Sequence, residues 1–238
     1  MYIIDVNCEL CENNGIHCHN CIHNYLDNED YFKEMADEEK IEIEELKRQR
    51  FMESLQGERI EIMPSNDFKR AFKLALNFTS RETYYPNYWS VYCGEGYLMA
   101  TDGFELARIK VCAPKSLVGK HILVCSETEI VTTNNPSPNF ANGESERILN
   151  KAKKSNTIVK TLTKKQLNMF IVEHKDNGQD YLQLKAGPVV NEALFERAMA
   201  AIDEDEEFTM RYLPEKEYEP LLIEGKILEY LIMPVRRN

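Results

Sequence analysis

The chain has 238 residues, 43% of them hydrophobic and 29% charged, which is enough apolar surface for a folded core and excludes a wholly disordered protein. No apolar run approaches the ~20 residues of a membrane helix, and the first residues lack a signal peptide's basic start, so we expect a cytoplasmic protein with no membrane partner. The net charge of -11 argues against general nucleic-acid binding by the chain as a whole.

The acidity is concentrated near the N-terminus. Residues 1–57 hold 14 acidic against 5 basic residues and so carry -9 of the net charge, which leaves -2 for residues 58–238. A part of the chain this close to neutrality can still have a basic face. The charge therefore separates an acidic N-terminal part from a nearly neutral remainder.

Four of the seven cysteines lie near the N-terminus with the spacing C-x2-C-x6-C-x2-C, and they are Cys8, Cys11, Cys18 and Cys21. A clustered, odd count without a secretion signal does not indicate disulfides. Two C-x2-C turns can offer four thiolates to one tetrahedral Zn²⁺, which leaves no open position for catalysis. We predict a structural zinc knuckle over residues 1–24, in which His17, His19 or His23 could replace one cysteine; free thiols are the alternative.

Residues 25–57 form an acidic segment between the knuckle and the rest of the chain. Residues 29–56 lack glycine and proline and precede Gly57; acidic residues crowd their first part, and Lys47, Arg48 and Arg50 lie towards the end, as a helix dipole favours. The apolar spacing is weak. We therefore predict a mostly solvated helix or linker, and a partner-binding helix is the alternative.

From residue 58 the pattern alternates between strand and helix. Strands are predicted at 59–63, 88–93, 97–101 and 104–111, with a helix starting at 64–67 and a hairpin turn at Asp102-Gly103. The region 133–155 is rich in loop-forming residues. The later elements are helices at Lys164–Val172 and 191–201 and strands at 207–213, 219–223 and 227–233. The order strand, helix, three strands at 59–111 thus recurs at about 181–233.

Two stretches carry a specific resemblance. They are NYWSVYCGEGYLMATDGFELARIKV (87–111) and YLIMPVRRN (230–238). They resemble the bacterial replicative sliding clamp, the beta subunit of DNA polymerase III, in which a strand runs into Ala-Thr-Asp-Gly and then Leu-Ala, and the chain ends on Met-Pro-Val/Met-Arg. The resemblance implies an α+β fold of the DNA-clamp type, with antiparallel sheets and helices on one face, in a shortened and divergent form.

The same resemblance frames the domain organisation. Residues 58–238 would form a sliding-clamp-like domain, with 113–180 either an insertion or an abridged second domain. This domain is about half the size of a family protomer. A closed ring would therefore need more copies of the chain than in the family, and the protein could be a homo-oligomer. The cysteine-rich start has no counterpart in the family, and it suggests a phage or mobile-element protein.

Basic residues are concentrated in two places. Residues 147–175 hold eight basic residues against one acidic residue, and others follow the first predicted helix start. From charge alone a solvated surface is the simpler interpretation. The resemblance implies instead that they contact duplex DNA through its phosphates, without sequence preference. The candidate DNA-binding residues are Lys69, Arg70, Lys73, Lys151, Lys153, Lys154, Lys164 and Lys165.

In the family, a groove beside the Thr-Asp-Gly turn and the Met-Pro strand receives short hydrophobic peptides from polymerases and other replication proteins. The matching residues here are Thr101, Gly103, Phe104, Leu106, Met233, Pro234, Val235 and Arg236. Phe104-Glu105 replaces the usual His-Arg pair. The alternative is an ordinary hairpin turn and core strand. The tyrosines around Trp89 could stack on bases, although sheet packing is the more common role of such residues.

The sequence lacks the G-x-G-x-x-G, G-x4-G-K-[ST], H-E-x-x-H and G-x-S-x-G motifs, so we predict no enzyme. The resemblance implies a processivity factor of DNA replication or repair that binds duplex DNA and recruits DNA polymerase or other clamp-binding proteins. One alternative is a protein-only regulator that binds the host clamp or polymerase through the acidic helix. Another is a zinc-dependent, sequence-specific DNA binder.

Overall fold

The computed structural model describes residues 37–80, 82, 84–167, 169–176, 179–185, 187–214, 216 and 219–235. The chain divides into two compact units, Met1–Gln56 and Gly57–Asn238. In the first unit the described residues form helix α1 (Asp37–Ser54), which confirms that part of the predicted helix. The zinc-knuckle prediction lies outside the described residues. Among the described residues, no helix is long and apolar enough to cross a bilayer.

From Gln56 onward, strands and helices alternate. The strands are β1 (Gln56–Glu61), β2 (Val91–Gly94), β3 (Tyr97–Thr101), β4 (Glu105–Lys110), β5 (His121–Cys125), β6 (Glu129–Thr133), β7 (Ile158–Leu162), β8 (Ile171–Asp176), β9 (Gln179–Leu184), β10 (Val189–Asn191), β11 (Phe208–Tyr212), β12 (Leu221–Glu224) and β13 (Leu228–Ile232). The helices are α2 (Asn66–Leu76), α3 (Pro138–Ala141), α4 (Glu144–Ser155), α5 (Lys164–Leu167) and α6 (Glu192–Ala200).

The described strands form a ten-stranded sheet in the order β1-β6-β5-β2-β3-β4-β13-β12-β11-β7 and a three-stranded sheet in the order β10-β9-β8. The predicted repeat is confirmed, because β1-α2-β2-β3-β4 and β10-α6-β11-β12-β13 both run strand, helix, three strands. The repeats meet where β4 pairs antiparallel with β13, with Leu106 opposite Leu231. The segment 113–180 adds β5 and β6 beside β2, and β7 beside β11.

Helix α2 forms where the sequence predicts it. The Ser65 hydroxyl accepts a hydrogen bond from the Phe68 amide at 3.2 Å and so caps the first turn. Phe68, Phe72 and Ala75 are buried on one side of the helix, at the spacing of an amphipathic helix. Helix α6 is capped in the same way by Asn191. Both helices pack into one core with alternate residues of the sheet.

The expectation of helices on one face of the sheet is wrong for α3 and α4. Leu98 and Ala100 of β3 belong to the core beneath α2 and α6, whereas Met99 between them packs with Phe140 and Leu149 of α3 and α4. Successive strand residues point to opposite faces, so helices cover both sides of the sheet. The fold is therefore α+β with a large antiparallel sheet enclosed between helices.

Two further sequence predictions need correction. The region 133–155 is helical over much of its length, because Pro138 occupies the first turn of α3, where it is tolerated, and Gly143 (φ +68°) starts α4. The predicted helix Lys164–Val172 ends at Leu167, and the β-branched Ile171 begins strand β8 instead. In the first region, Pro138 and Gly143 suggest a loop but lie at the starts of helices. In the second, the predicted helix extends into residues that form a strand.

The burial of His121 predicts an acid-sensitive fold. Its ring is 7% exposed and lies 5.2 Å from the Tyr92 ring and 5.8 Å from the Phe140 ring, and neither ring nitrogen has a hydrogen-bond partner among the described residues. Burial lowers its pKa from 6.5 to about 4. The unfolded chain therefore takes up the proton first, and this contribution to stability is lost as pH falls from 6.5 towards 4.

We expect His121→Phe to reduce the acid sensitivity of unfolding. Between pH 7 and pH 4.5 the wild type should lose about 2–3 kcal/mol more free energy of unfolding than the variant. Urea titrations at the two pH values, followed by fluorescence of the single tryptophan, Trp89, measure this difference. Equal losses in both proteins would contradict this role for His121.

Candidate functional site

The β3–β4 turn is held by its own side chains. Asp102 Oδ1 accepts hydrogen bonds from the amides of Phe104 (2.9 Å) and Glu105 (3.0 Å), and Thr101 Oγ1 accepts one from Gly103 at 3.0 Å. Gly103 has φ +98°, a conformation that side chains disfavour. These bonds fix the backbone at Phe104, which is 64% exposed.

The segment after β13 runs beside this turn. The Met233 amide donates to the Phe104 carbonyl at 2.9 Å, and the Val235 amide donates to the Val189 carbonyl at 2.9 Å. These two bonds fix the C-terminal segment between the turn and β10. The two stretches that carry the sequence resemblance are therefore neighbours in space.

A cavity of about 700 Å³ opens between this turn, the C-terminal segment and α6. We call it the apolar groove. Its lining residues are Gly103, Phe104, Tyr181, Asn191, Ala193, Leu194, Arg197, Met233, Pro234 and Val235.

The predicted groove residues fall into three groups. Gly103, Phe104 and the segment 233–235 line the apolar groove. Thr101 and Leu106 are buried beside it and line a smaller cavity of about 110 Å³, which shares Gly103 and Met233 with the groove. Arg236 lies outside the described residues.

The remaining lining residues were not predicted. Ala193, Leu194 and Arg197 come from α6, and Tyr181 comes from β9. Asn191 is the last residue of β10 and the cap of α6. The sequence does predict helix 191–201, and α6 follows the strand that bonds to Val235. The repeat of strand, helix and three strands was the signal that could have placed this helix beside the C-terminal segment.

Arg197 is held by carboxylates in the wall of the groove. Its guanidinium pairs with Glu105, lies 3.7 Å from Asp102 Oδ2 and donates to the Asn77 carbonyl at 3.3 Å. The Glu105 side chain is fully buried, and its Oε2 atom has no partner among the described residues. Burial, with the nearby Asp102 charge, raises the pKa of Glu105 to about 8 against the opposing effect of Arg197.

A second cavity of about 530 Å³ lies on the other side of Phe104 and Arg197. We call it the polar chamber. Its lining residues are Asn77, Thr79, Ser80, Glu82, Tyr85, Asp102, Phe104 and Arg197. Phe104 and Arg197 line both cavities and so form the wall that they share.

The candidate DNA-binding residues lie on more than one surface. On α2, Arg70 and Lys73 are exposed, while Lys69 pairs with Glu127. On α4, across the sheet, Lys151 and Lys154 are exposed. The other three form ion pairs: Lys153 with Glu224 (3.3 Å) and Glu229 (2.8 Å), Lys164 with Glu204 (3.2 Å) and Lys165 with Asp205 (2.9 Å).

The tyrosine-rich stretch is divided between core and surface. Trp89 is buried and donates through Nε1 to the Glu82 carbonyl at 2.9 Å, and the Tyr92 ring stacks on Phe140 with centroids 5.6 Å apart. Tyr84 and Tyr85 remain 85% and 48% exposed, and Tyr85 lines the polar chamber. Sheet packing therefore accounts for Trp89 and Tyr92, and the exposed pair is available to a ligand.

Cys93 and Cys125 do not have the lowered pKa of activated thiols. Burial raises the pKa of Cys93 and of Cys125 to about 11, which keeps both thiols protonated at neutral pH. Within the described ranges, no group of three or more His, Cys, Asp or Glu residues could hold a metal ion. The four predicted zinc ligands precede those ranges.

Neither the family models searched nor the curated protein sequences include a match to this chain. Solved structures do match. The Caulobacter crescentus pol III beta chain is 18% identical, with a TM-score of 0.50 over 76% of this chain and 67% of that one. The Helicobacter pylori beta clamp is 12% identical in complexes with 3,4-difluorobenzamide (TM-score 0.52) and with diflunisal (0.50), each covering 75% of this chain and 66% of that one.

The match spans about two thirds of the length of those clamp chains. At sequence identities of 12–18%, this similarity shows a common fold and nothing finer. It agrees with the repeated order of elements and with the neighbouring positions of the two motif-bearing stretches. The resemblance seen in the sequence is confirmed at this level: the chain has a fold like that of the bacterial DNA polymerase III beta sliding clamp.

Proposed function

We propose that this chain is a non-catalytic, sliding-clamp-like accessory protein of DNA replication or repair, which recruits DNA polymerase or other clamp-binding proteins. The observation that carries the proposal is the apolar groove, built from the turn at Gly103-Phe104 and the segment 233–235. Phe104 and Met233 are 64% and 44% exposed at its rim. An open groove with an adaptable methionine suits a short apolar peptide.

Selection of peptides on the full chain tests this recruitment role. A phage-displayed library of random dodecapeptides should yield sequences enriched in large apolar residues. These peptides should compete with one another for a single site. Failure to enrich any peptide over an uncoated surface would overturn the recruitment proposal.

We also propose that duplex DNA binds to the α2 side of the chain. Support comes from Arg70 and Lys73, which are exposed and have no ion-pair partner among the described residues. Lys69 is partly occupied by Glu127. DNA bound in this way would be held through its phosphates, without base recognition.

The double variant Arg70→Glu/Lys73→Glu should weaken DNA binding. A plot of log affinity against log salt has a negative slope, and the loss of two phosphate contacts should make that slope shallower by about two. The matched control is Lys151→Glu/Lys154→Glu on the opposite face of the sheet, which should bind as the wild type does. Fluorescence anisotropy with a labelled duplex measures both, and equal weakening by the two variants would exclude a specific α2 surface.

One observation favours a protein-only regulator instead. Four of the eight candidate DNA-binding residues are in ion pairs, and the unpaired ones are divided between α2 and α4. A regulator of the host clamp or polymerase needs no basic DNA-facing surface. Absence of salt-dependent DNA binding by the wild type would favour this alternative over the DNA-binding proposal.

We propose a structural zinc ion bound by Cys8, Cys11, Cys18 and Cys21. Purified protein should contain about one zinc per chain, and Cys8→Ser/Cys21→Ser should lose it. The control Cys112→Ser changes an exposed cysteine of the second unit and should keep the metal. Zinc-free wild-type protein would contradict the site, and loss of all DNA binding on chelation would favour the zinc-dependent DNA binder.

A further inference from the structure

The polar chamber continues the apolar groove past a shared wall, so an extended peptide that lies across Phe104 meets both. The two cavities differ in chemistry. The groove is lined mainly by Ala193, Leu194 and the segment 233–235, whereas the chamber adds hydroxyls, an amide and carboxylates to the rings of Tyr85 and Phe104. Adjacent side chains of one peptide therefore encounter an apolar site and a polar one.

Among its described lining residues, the chamber has an excess of negative charge. Within the part of the chain that the structure describes, Glu82 and Asp102 line it directly, and Arg197 is the one lining cation. That guanidinium is already engaged by Glu105, Asp102 and the Asn77 carbonyl. Carboxylates outnumber the cation whether or not Glu105 is ionised, so an incoming anion meets repulsion and a cation meets attraction.

The other lining groups also suit a cation. The Tyr85 ring is 48% exposed at the chamber and offers a face for a cation–π contact. Hydroxyl oxygens of Thr79 and Ser80 can accept hydrogen bonds from an ammonium or guanidinium group. Ser80 is held in place because its hydroxyl accepts from the Glu82 amide at 3.1 Å.

We propose that the partner segment recognised by this chain combines apolar residues with a nearby lysine or arginine, whose cationic group occupies the polar chamber. This inference rests on the proposed recruitment function. It adds a charge requirement to that function, since an apolar groove alone would accept acidic and neutral segments equally well. The partner is thus a protein with a basic-apolar segment exposed in extended form.

The dodecapeptide selection on the full chain tests two claims separately: that the chain binds apolar peptides, and that these peptides need a basic residue. Lysine and arginine should be enriched in the selected peptides relative to the library, and aspartate and glutamate should be depleted. Apolar enrichment without this charge preference would overturn the inference and leave recruitment intact. Absence of any enrichment would remove the recruitment function itself.

Variants of the chamber's carboxylates test whether the basic residue of the peptide binds in the polar chamber. Glu82→Gln/Asp102→Asn keeps the oxygen at Asp102 that accepts the turn amides, so the loop stays folded. The best selected peptide and its version with the basic residue replaced by glutamine should differ about tenfold in affinity on the wild type, which is ~1.4 kcal/mol. On the double variant the difference should nearly vanish.

The matched control is Glu95→Gln, which removes an exposed carboxylate from the β2–β3 turn and should keep the tenfold preference. The wild-type preference should also fall as salt is raised. A preference that survives Glu82→Gln/Asp102→Asn would place the cation elsewhere and overturn the inference. Thermal unfolding of each variant by circular dichroism confirms that the comparison concerns folded protein.

Discussion

Glu229→Ala should lower the free energy of unfolding by about 3 kcal/mol, because it removes the centre of a buried ion-pair network. The Glu229 side chain is 5% exposed. It accepts a hydrogen bond from Arg108 Nε at 2.7 Å and pairs with Lys153 at 2.8 Å. Burial pushes the pKa of Glu229 upward, but Lys153 and Arg108 outweigh it and the pKa is lowered.

The effect should be large because the partners are themselves poorly exposed. The side chain of Arg108 is 18% exposed and that of Lys153 is 27% exposed, so the loss of Glu229 leaves partly buried positive charge without its main partner between β4, β13 and α4. Lys153 keeps Glu224 at 3.3 Å, which limits the loss. Urea titration monitored by Trp89 fluorescence gives the free energy of unfolding.

The matched control for this prediction is Glu127→Ala. It removes the carboxylate that pairs with Lys69, but the Glu127 side chain is 81% exposed, so the expected change is below about 1 kcal/mol. A loss for Glu229→Ala that is no larger than this would show that α4 is held to the sheet by its apolar contacts alone. Those contacts include Leu149 and Ala152 with Leu222 and Leu231.

The first repeat and its β3–β4 turn could be predicted because their signals are local. The Asp102-Gly103 dipeptide specifies a turn, and the Ser65 cap with the spacing of Phe68 and Phe72 specifies a helix. The cover formed by α3 and α4 could not be predicted in this way. Its boundaries use Pro138 and Gly143, which also suggest loops, and its burial depends on a sheet face formed by strands distant in sequence.

The site was predictable only where one stretch of sequence carries it. Gly103, Phe104 and the segment 233–235 follow from motifs, whereas Arg197 lies 92 residues from its partner Glu105 and no local pattern connects them. For the DNA-binding candidates, the sequence shows which segments are basic but does not show which of their side chains form ion pairs. A run of lysines such as 151–154 gives the charge of a segment, but the ion pair between Lys153 and Glu229 is set by tertiary packing.

Phe104→Ala should abolish most peptide binding without unfolding the protein. Phe104 lies in the wall between the apolar groove and the polar chamber, and aromatic side chains at such central positions dominate binding energies. We expect at least ~30-fold weaker binding of the peptides selected on the wild type, which corresponds to about 2 kcal/mol. Fluorescence anisotropy with dye-labelled peptide measures the loss.

The stability of this variant should change little, because the Phe104 side chain is 64% exposed and the backbone bond between its carbonyl and Met233 does not need the ring. Met169→Ala is the matched control: it truncates a side chain that is 56% exposed and does not line either cavity. The control should bind peptide as the wild type does. Undiminished binding by Phe104→Ala would place the peptide site elsewhere, whereas equal loss in both variants would indicate a nonspecific apolar effect.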